Sequence, residues 1–421
     1  MSSRIAIIGT GYVGLTTGAC FAHLGHDVVC ADIDPVRIER LSRGILPIYE
    51  PGLQEIVDAG IASGRLRFVV GAADAVRDCE FAYLCVQTPQ GDDGSADLTY
   101  LQAAAAEIAR ALPSEAVVVN KSTVPVGSTK VVERVLGRSD VSVVSNPEFL
   151  REGSAVNDFL KPDRVVIGSD SPAAATRVAD LYGGTHGHVI VTDPASAETI
   201  KYAANAFLAT KISFVNAVAA VCEAVGADVN DVVLGIGYDK RIGHAFLNPG
   251  PGWGGSCFPK DTRAMVKIAE DAGYDFNLLK GVVVVNDEQR ERMVTKVERA
   301  VGDLDGAVVA AWGLTFKANT DDIRESPAIA VIAELQRRGA KVRAYDPQVP
   351  AHPSIDTAAN PYDVCDGADA LIVLTEWDEF RWLDLESVKA RLSRANIVDT
   401  RNLLDRGAAI RLGFSYQGVG R

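Results

Sequence analysis

The sequence predicts an α/β chain made of two doubly wound domains joined by a long central helix and an all-helical middle section. Three observations lead there. Short apolar runs alternate with helical patterns in the first third and again near the end. Between them lies an alanine-rich stretch, 194–226, with no Gly or Pro between Pro194 and Gly226. Finally, two strands far apart end alike, "VVCADIDP" on Asp32 and Pro35 and "KVRAYDP" on Asp346 and Pro347.

The runs at 4–9, 27–32, 67–71, 81–86, 116–122 and 141–146 are rich in Val and Ile and read as strands buried on both faces, the mark of a parallel sheet covered by helices. Those at 164–169 and 188–193 extend the same sheet. In the alanine-rich stretch, Phe207, Ile212, Val215, Ala219 and Cys222 recur at helical spacing, so it is one long helix suited to a spine and a dimer interface, with burial inside one subunit equally allowed. A second helical region covers roughly 261–300. Strands resume at 307–315, 341–347, 368–377 and 396–404. The expected domains are therefore 1–194, 195–300 and 301–421. In doubly wound sheets ligands lie beyond the carboxyl ends of the strands, so two such domains offer two nucleotide-sized sites across one cleft.

With 421 residues, 48% of them hydrophobic, the chain is long enough for two or three cores. A formal net charge of −13 and the lack of a basic run argue against a nucleic-acid partner. The opening "MSSRIAIIGTGYVG" breaks its apolar run with glycines at once, so neither a signal peptide nor a membrane span is expected there, and the expected compartment is the cytoplasm. Seven scattered cysteines without a CxxC pair fit reduced thiols. His186 and His188 lack an evident third ligand, and no metal site is expected.

"GTGYVG" (9–14) follows a strand and opens a helix. Gly9, Gly11 and Gly14 permit the tight turn and the approach of a pyrophosphate, and the helix N-terminus supplies N–H donors. Asp32, about 20 residues on at the next strand end, is placed to accept from a ribose, which favours NAD over NADP and makes the domain Rossmann-like. After the strand at 307–315 no such fingerprint follows, only Gly313 to Lys317, so the last domain is read as the substrate side, with Lys317 a nucleotide contact. Lys201 and Asn205 lie four apart on one helix face. Glu148 and Glu152 follow one strand, and Thr123 ends another. "GGSCFPKD" (254–261) sets Cys257 in a glycine-rich turn. Single alcohol oxidation has no use for a thiol, but a thiolate can hold an aldehyde as a thiohemiacetal, whose oxidation leaves a thioester for water to cleave.

The motifs "GTGYVGL", "ADIDPVRI", "PIYEPGL", "STVPVGST", "NPEFLREG", "IKYAANAFLATKISFVNAVAAVCEAVGAD", "GPGWGGSCFPKD" and "GLTFKANTDDIRESPA" make the chain resemble the UDP-glucose/GDP-mannose dehydrogenase family over nearly its whole length. That resemblance implies two successive oxidations of a nucleotide sugar at C6, UDP-glucose to UDP-glucuronate, with two NADH formed. GDP-mannose is the alternative sugar. A single-oxidation hydroxyacid dehydrogenase and a non-enzymatic NAD-binding regulator are the other readings. Relatives acting on UDP-N-acetyl sugars carry His before the cysteine, where Ser256 stands here. By the same resemblance Cys257 is the nucleophile, Lys201 with Asn205 stabilises oxyanions, Asp261 with Thr123 holds a water, and Glu148 or Glu152 activates water. The cofactor is met by Gly9, Gly11, Tyr12, Val13, Gly14, Asp32, Arg37, Thr88, Thr123, Glu152, Lys260 and Arg324. The substrate is met by Glu148, Phe149, Leu150, Arg151, Glu152, Lys201, Asn205, Phe246, Leu247, Asn248, Pro249, Gly250, Gly254 and Lys317. Arg241 would reach the substrate of a neighbouring subunit, implying a homodimer or higher assembly.

Overall fold

A computed structural model describes residues 2–91 and 94–421. The chain divides into two compact units, residues 1–204 with 263–272 and residues 205–262 with 273–421.

The first unit is an eight-stranded sheet: β1 (Arg4–Ile8), β2 (Asp27–Asp32), β3 (Leu66–Val70), β4 (Phe81–Leu84), β5 (Val117–Asn120), β6 (Ser142–Ser145), β7 (Arg164–Gly168) and β8 (His188–Thr192). Its order is β3-β2-β1-β4-β5-β6-β7-β8. Neighbouring residues of one strand feed opposite cores. Ile5 and Ile7 pack with Phe21, Tyr83 and Val119, whereas Ala6 and Ile8 pack with Ala82, Leu84 and Val118. This two-sided burial is why the strands read as near-continuous apolar runs rather than alternating ones.

Two features differ from the sequence expectation. The sheet is not wholly parallel: β7 meets β6 antiparallel through the single pair Ser145 and Gly168. The edge strand β8 leaves Val189, Ile190 and Val191 exposed, since an edge has a neighbour on one side only.

The second unit repeats the plan with six parallel strands: β9 (Val308–Trp312), β10 (Lys341–Tyr345), β11 (Asp356–Thr357), β12 (Ala370–Val373), β13 (Asn396–Asp399) and β14 (Ser415–Gln417), in the order β11-β10-β9-β12-β13-β14. Val309, Ala311 and Ile372 face one core, Ala310, Trp312 and Leu371 the other. The two outermost strands are too short to stand out in the sequence.

The central helix is Pro194–Val225, closed by Gly226 at φ +76°. Its apolar residues divide between two faces. Val215, Ala219 and Cys222 are buried, but Phe207 is 65% exposed, with Phe214 and Val221 one and two heptads further on also exposed. The apolar periodicity therefore marks a core face and an outward face together. By length and composition this helix could cross a bilayer. Its buried Glu198 and Lys201, bonded to protein partners, mark it instead as a helix packed in protein. The region expected as one helical stretch is two helices, Phe258–Asp271 and Asn277–Val301, separated around Gly273. A further helix, Val229–Gly237, precedes the cysteine loop.

Candidate active site

In the first unit the turn after β1 is built for close approach. Gly9 has φ +99°, and a side chain there would meet the Cys85 carbonyl at 2.7 Å. At Gly14 it would meet the Gly9 carbonyl at 2.0 Å. Gly11 is different, because nothing lies within 4 Å of the space its side chain would occupy. The outer two glycines are thus required by the protein itself, and Gly11 leaves the space over the N-terminus of the helix Tyr12–His23 open for a phosphate group.

Asp32, at the end of β2, accepts the Thr10 amide at 2.9 Å and the Thr10 hydroxyl at 2.6 Å. Arg37 stands 3.7 Å from it. Burial alone would raise the pKa of this carboxyl. The Thr10 bonds, the Asp34 amide and the Arg37 guanidinium outweigh that and hold it below its ordinary value. An ionised acceptor at this place suits ribose hydroxyls and repels a 2′-phosphate, so the residues fit NAD.

Further strand ends carry the other candidates. Thr88 donates to the Thr123 carbonyl at 2.8 Å. Glu148 is buried, accepting Lys201 Nζ at 2.7 Å and the Leu150 amide at 2.6 Å. Lys201 also lies 5.5 Å from the centre of the Phe149 ring, and Arg164 stacks on that ring at 3.9 Å. The Lys201–Glu148 pair is almost fully withdrawn from water, so removing one partner strands a charge and costs about 3–5 kcal/mol. Glu152 is half-buried, which separates it in environment from Glu148. Arg151 is committed to Asp158.

In the second unit Asp261 is the hub. Its carboxylate, 1% exposed, accepts Asn205 Nδ2 at 2.6 Å and Lys260 Nζ at 2.8 Å. Cys257 immediately precedes the helix Phe258–Asp271, at the positive end of that helix's dipole. The Ser256 hydroxyl is 3.5 Å from its sulfur. Cys257 is half-buried, and the other six cysteines are buried. Burial pushes the thiols of Cys20, Cys79, Cys85 and Cys365 up to about 12, and that of Cys30 further.

A side chain at Gly254 would collide with the Glu325 carbonyl at 2.1 Å, and one at Gly255 with the Phe316 ring at 2.8 Å. Both glycines are therefore required by the chain's own packing. Lys317 lies over the Phe316 ring at 5.5 Å. Arg324 is bonded to Asp322, and the exposed Arg241 to Asp239.

Two carboxylates went unnoticed in the sequence. Glu50, buried, accepts the Gly153 amide at 2.7 Å, the Ala155 amide at 2.8 Å and the Tyr12 hydroxyl, tying the glycine turn to the end of the loop 146–153. Glu198 accepts the Gly127 amide at 2.6 Å and the Thr129 amide at 2.9 Å, capping the helix Ser128–Leu136 behind Thr123. "PIYEPGL" held the first in plain view. Nothing local signals the second, whose partners lie about 70 residues away.

A dinucleotide turn with an ionised ribose acceptor makes the chain an NAD-dependent dehydrogenase. Three family profiles match in order: the NAD binding domain at residues 3–186, the central domain at 195–288 and the UDP binding domain at 310–406, all of the UDP-glucose/GDP-mannose dehydrogenase family. The UDP-glucose 6-dehydrogenase of Rhizobium meliloti is 47% identical over 99% of both chains. The UDP-glucose 6-dehydrogenase TuaD of Bacillus subtilis is 46% identical over 99% of this chain and 93% of its own. The solved structure of a UDP-glucose dehydrogenase from Pyrobaculum islandicum superposes with a TM-score of 0.92 at 39% identity, covering 100% of this chain and 98% of that one. The chain belongs to the UDP-glucose/GDP-mannose dehydrogenase family.

Proposed function

We propose that the chain oxidises the C6 hydroxymethyl of UDP-glucose to a carboxylate, giving UDP-glucuronate, in two successive steps on one site. The observation that carries this reading is Cys257, the one cysteine that is not buried, standing at a helix N-terminus beside Asp261. NAD⁺ is the two-electron acceptor in each oxidation, and the overall change is sugar-CH2OH + 2 NAD⁺ + H2O to sugar-COO⁻ + 2 NADH + 3 H⁺.

The residues divide the work. Gly11 and the amides after it receive the pyrophosphate, and Asp32 the ribose, with Arg37, Thr88, Thr123, Glu152, Lys260 and Arg324 around the cofactor. Lys201 offers a charge-assisted hydrogen bond where negative charge builds on the C6 oxygen, and Asn205 assists. Asp261 and Thr123 hold the water that carries the hydroxyl proton away. The Cys257 thiolate forms a C–S bond to the aldehyde carbon, and the carbonyl oxygen takes a proton. After the second oxidation that carbon is a thioester. Water, losing its proton to Glu148, attacks it, the C–S bond breaks and the thiol returns. Glu148 is preferred to Glu152 for this role because it is buried and held 2.7 Å from Lys201, the group assigned to the C6 oxygen.

The parts 1–194, 195–300 and 301–421 serve NAD, assembly and the nucleotide sugar in turn. The exposed row Phe207, Phe214 and Val221 supports a homodimer or higher assembly, in which Arg241 reaches a neighbouring subunit's substrate. The enzyme is cytoplasmic in this reading, which its reduced cysteines suit.

The test is stoichiometry. Purified protein given limiting UDP-glucose forms two NADH per sugar without free aldehyde, and GDP-mannose and UDP-N-acetylglucosamine serve poorly. One NADH per sugar with trappable aldehyde defeats the proposal.

A further inference from the structure

Residues 249–255 form a loop, yet every one of them is buried. A buried loop leaves backbone donors and acceptors that water cannot reach, so something else must satisfy them. Among the described residues, 248–253 make no backbone–backbone hydrogen bond. The partners come instead from side chains on the central helix and on the helix Asn277–Val301. The Gly250 amide donates to Asn216 Oδ1 at 2.8 Å, and its carbonyl accepts Gln289 Nε2 at 2.8 Å. Three residues on, the Trp253 amide donates to Asn286 Oδ1 at 2.8 Å, and its carbonyl accepts Asn286 Nδ2 at 3.1 Å. The Trp253 indole donates to Ser213 Oγ at 2.9 Å, and the Ser213 hydroxyl donates in turn to the Val282 carbonyl at 2.8 Å.

All four side chains are at most 2% exposed. Each helix contributes a pair three residues apart, Ser213 with Asn216 and Asn286 with Gln289, so both pairs project from single helix faces. All are neutral, so they grip without adding charge beside a thiol. Gly252, at φ +120°, completes the fit, because a side chain there would lie 2.7 Å from Asn286 Oδ1.

We propose that Asn216 with Gln289 and Asn286 with Ser213 are positioning residues forming two clamps of separate purpose on one loop. The Gly250 clamp sets the part of the loop that receives the nucleotide sugar, and the Trp253 clamp sets the distance and direction of Cys257, four residues further along. This rests on the reading of Cys257 as the nucleophile and of 246–250 as a substrate loop. Loss of the first clamp weakens substrate binding without touching the order of chemistry. Loss of the second lets the first oxidation proceed but slows capture of the aldehyde.

The experiment compares Gln289→Met and Asn286→Ala with the unaltered enzyme, all rates being normalised to the fraction that binds NAD so that unfolded protein cancels. Gln289→Met raises KM for UDP-glucose roughly tenfold, the worth of one buried hydrogen bond, and keeps two NADH per sugar. Asn286→Ala keeps KM within about twofold, lowers kcat roughly tenfold and releases aldehyde that semicarbazide traps, so the NADH ratio falls below two. A purely structural role alters only the active fraction. If both variants keep the KM and the ratio of the unaltered enzyme, or shift the two together, the assignment is overturned. If the unaltered enzyme itself gives one NADH per sugar, the proposed function fails first, which separates the two failures.

Discussion

At the end of β1 and at the end of β9 the chain builds the same turn. Gly9 and Gly313 share φ +99°, and each donates its amide at 2.8 Å to the next strand, to the carbonyls of Ala31 and Tyr345. An aspartate at the end of that strand then takes the groups after the glycine. Asp32 accepts the Thr10 amide and hydroxyl, and Asp346 accepts the Leu314 amide at 2.7 Å with the Thr315 amide and hydroxyl. The difference lies in what remains. Asp346 is 3% exposed and also receives the Trp377 indole and the Gln348 amide. Asp32 keeps a solvent-facing edge, and a helix begins directly behind its turn at Tyr12, whereas the second unit runs on to Pro327 before its helix starts. One construction seats a ligand where acceptor capacity is left over, and locks the fold where none is.

The strongest way to break this comparison is at the glycines. Gly313→Ala would bring its methyl carbon within 2.3 Å of Thr375 in a backbone conformation that L residues avoid. We expect a loss of at least roughly 3 kcal/mol, seen as a large drop in Tm by scanning fluorimetry. Next, the two aspartates should fail differently. Asp346→Asn replaces an oxygen in a saturated buried site and costs about 1–3 kcal/mol of stability, leaving KM for NAD unchanged. Asp32→Asn lowers Tm less than Asp346→Asn, because its site is not saturated, but raises KM for NAD roughly tenfold and narrows the preference over NADP. Equal effects on NAD from both would erase the distinction.

The smallest effect is in pH. Asp32 titrates below its ordinary 3.8 in the folded chain, so its stabilising contribution is complete above 3.8 and disappears as pH falls through the folded value. Buried Asp399, in the second unit, has the opposite sign: burial raises its pKa, so its contribution is present below 3.8 and lost as pH rises through the folded value. Between pH 5 and 8 the KM for NAD should therefore show no inflection from Asp32, which a pH series of initial rates checks.

Much of this was legible because it was local. The inner strands of both sheets announced themselves through apolar runs buried on two faces, and "GTGYVG" with Asp32 and Cys257 in "GGSC" carry their chemistry within a few residues. What escaped reading depends on distant partners. Glu50 and Glu198 look like ordinary surface acids, yet each caps backbone amides far along the chain. Asn216, Asn286 and Gln289 look like the polar side of amphipathic helices, and only the fold turns them toward a buried loop. Phe207 shares one periodic pattern with the buried Val215 and Ala219, because helical periodicity does not say whether an apolar face meets its own chain or another copy.

The distribution of cysteines has a practical consequence. Six thiols are shut away, several of them held protonated, and one sits half-open at a helix end. Toward a mild alkylating reagent the native chain should behave as if it contained a single cysteine. Incorporation of label, read by intact mass, would then count working sites directly, rising by one adduct as activity vanishes and by more only once the protein unfolds.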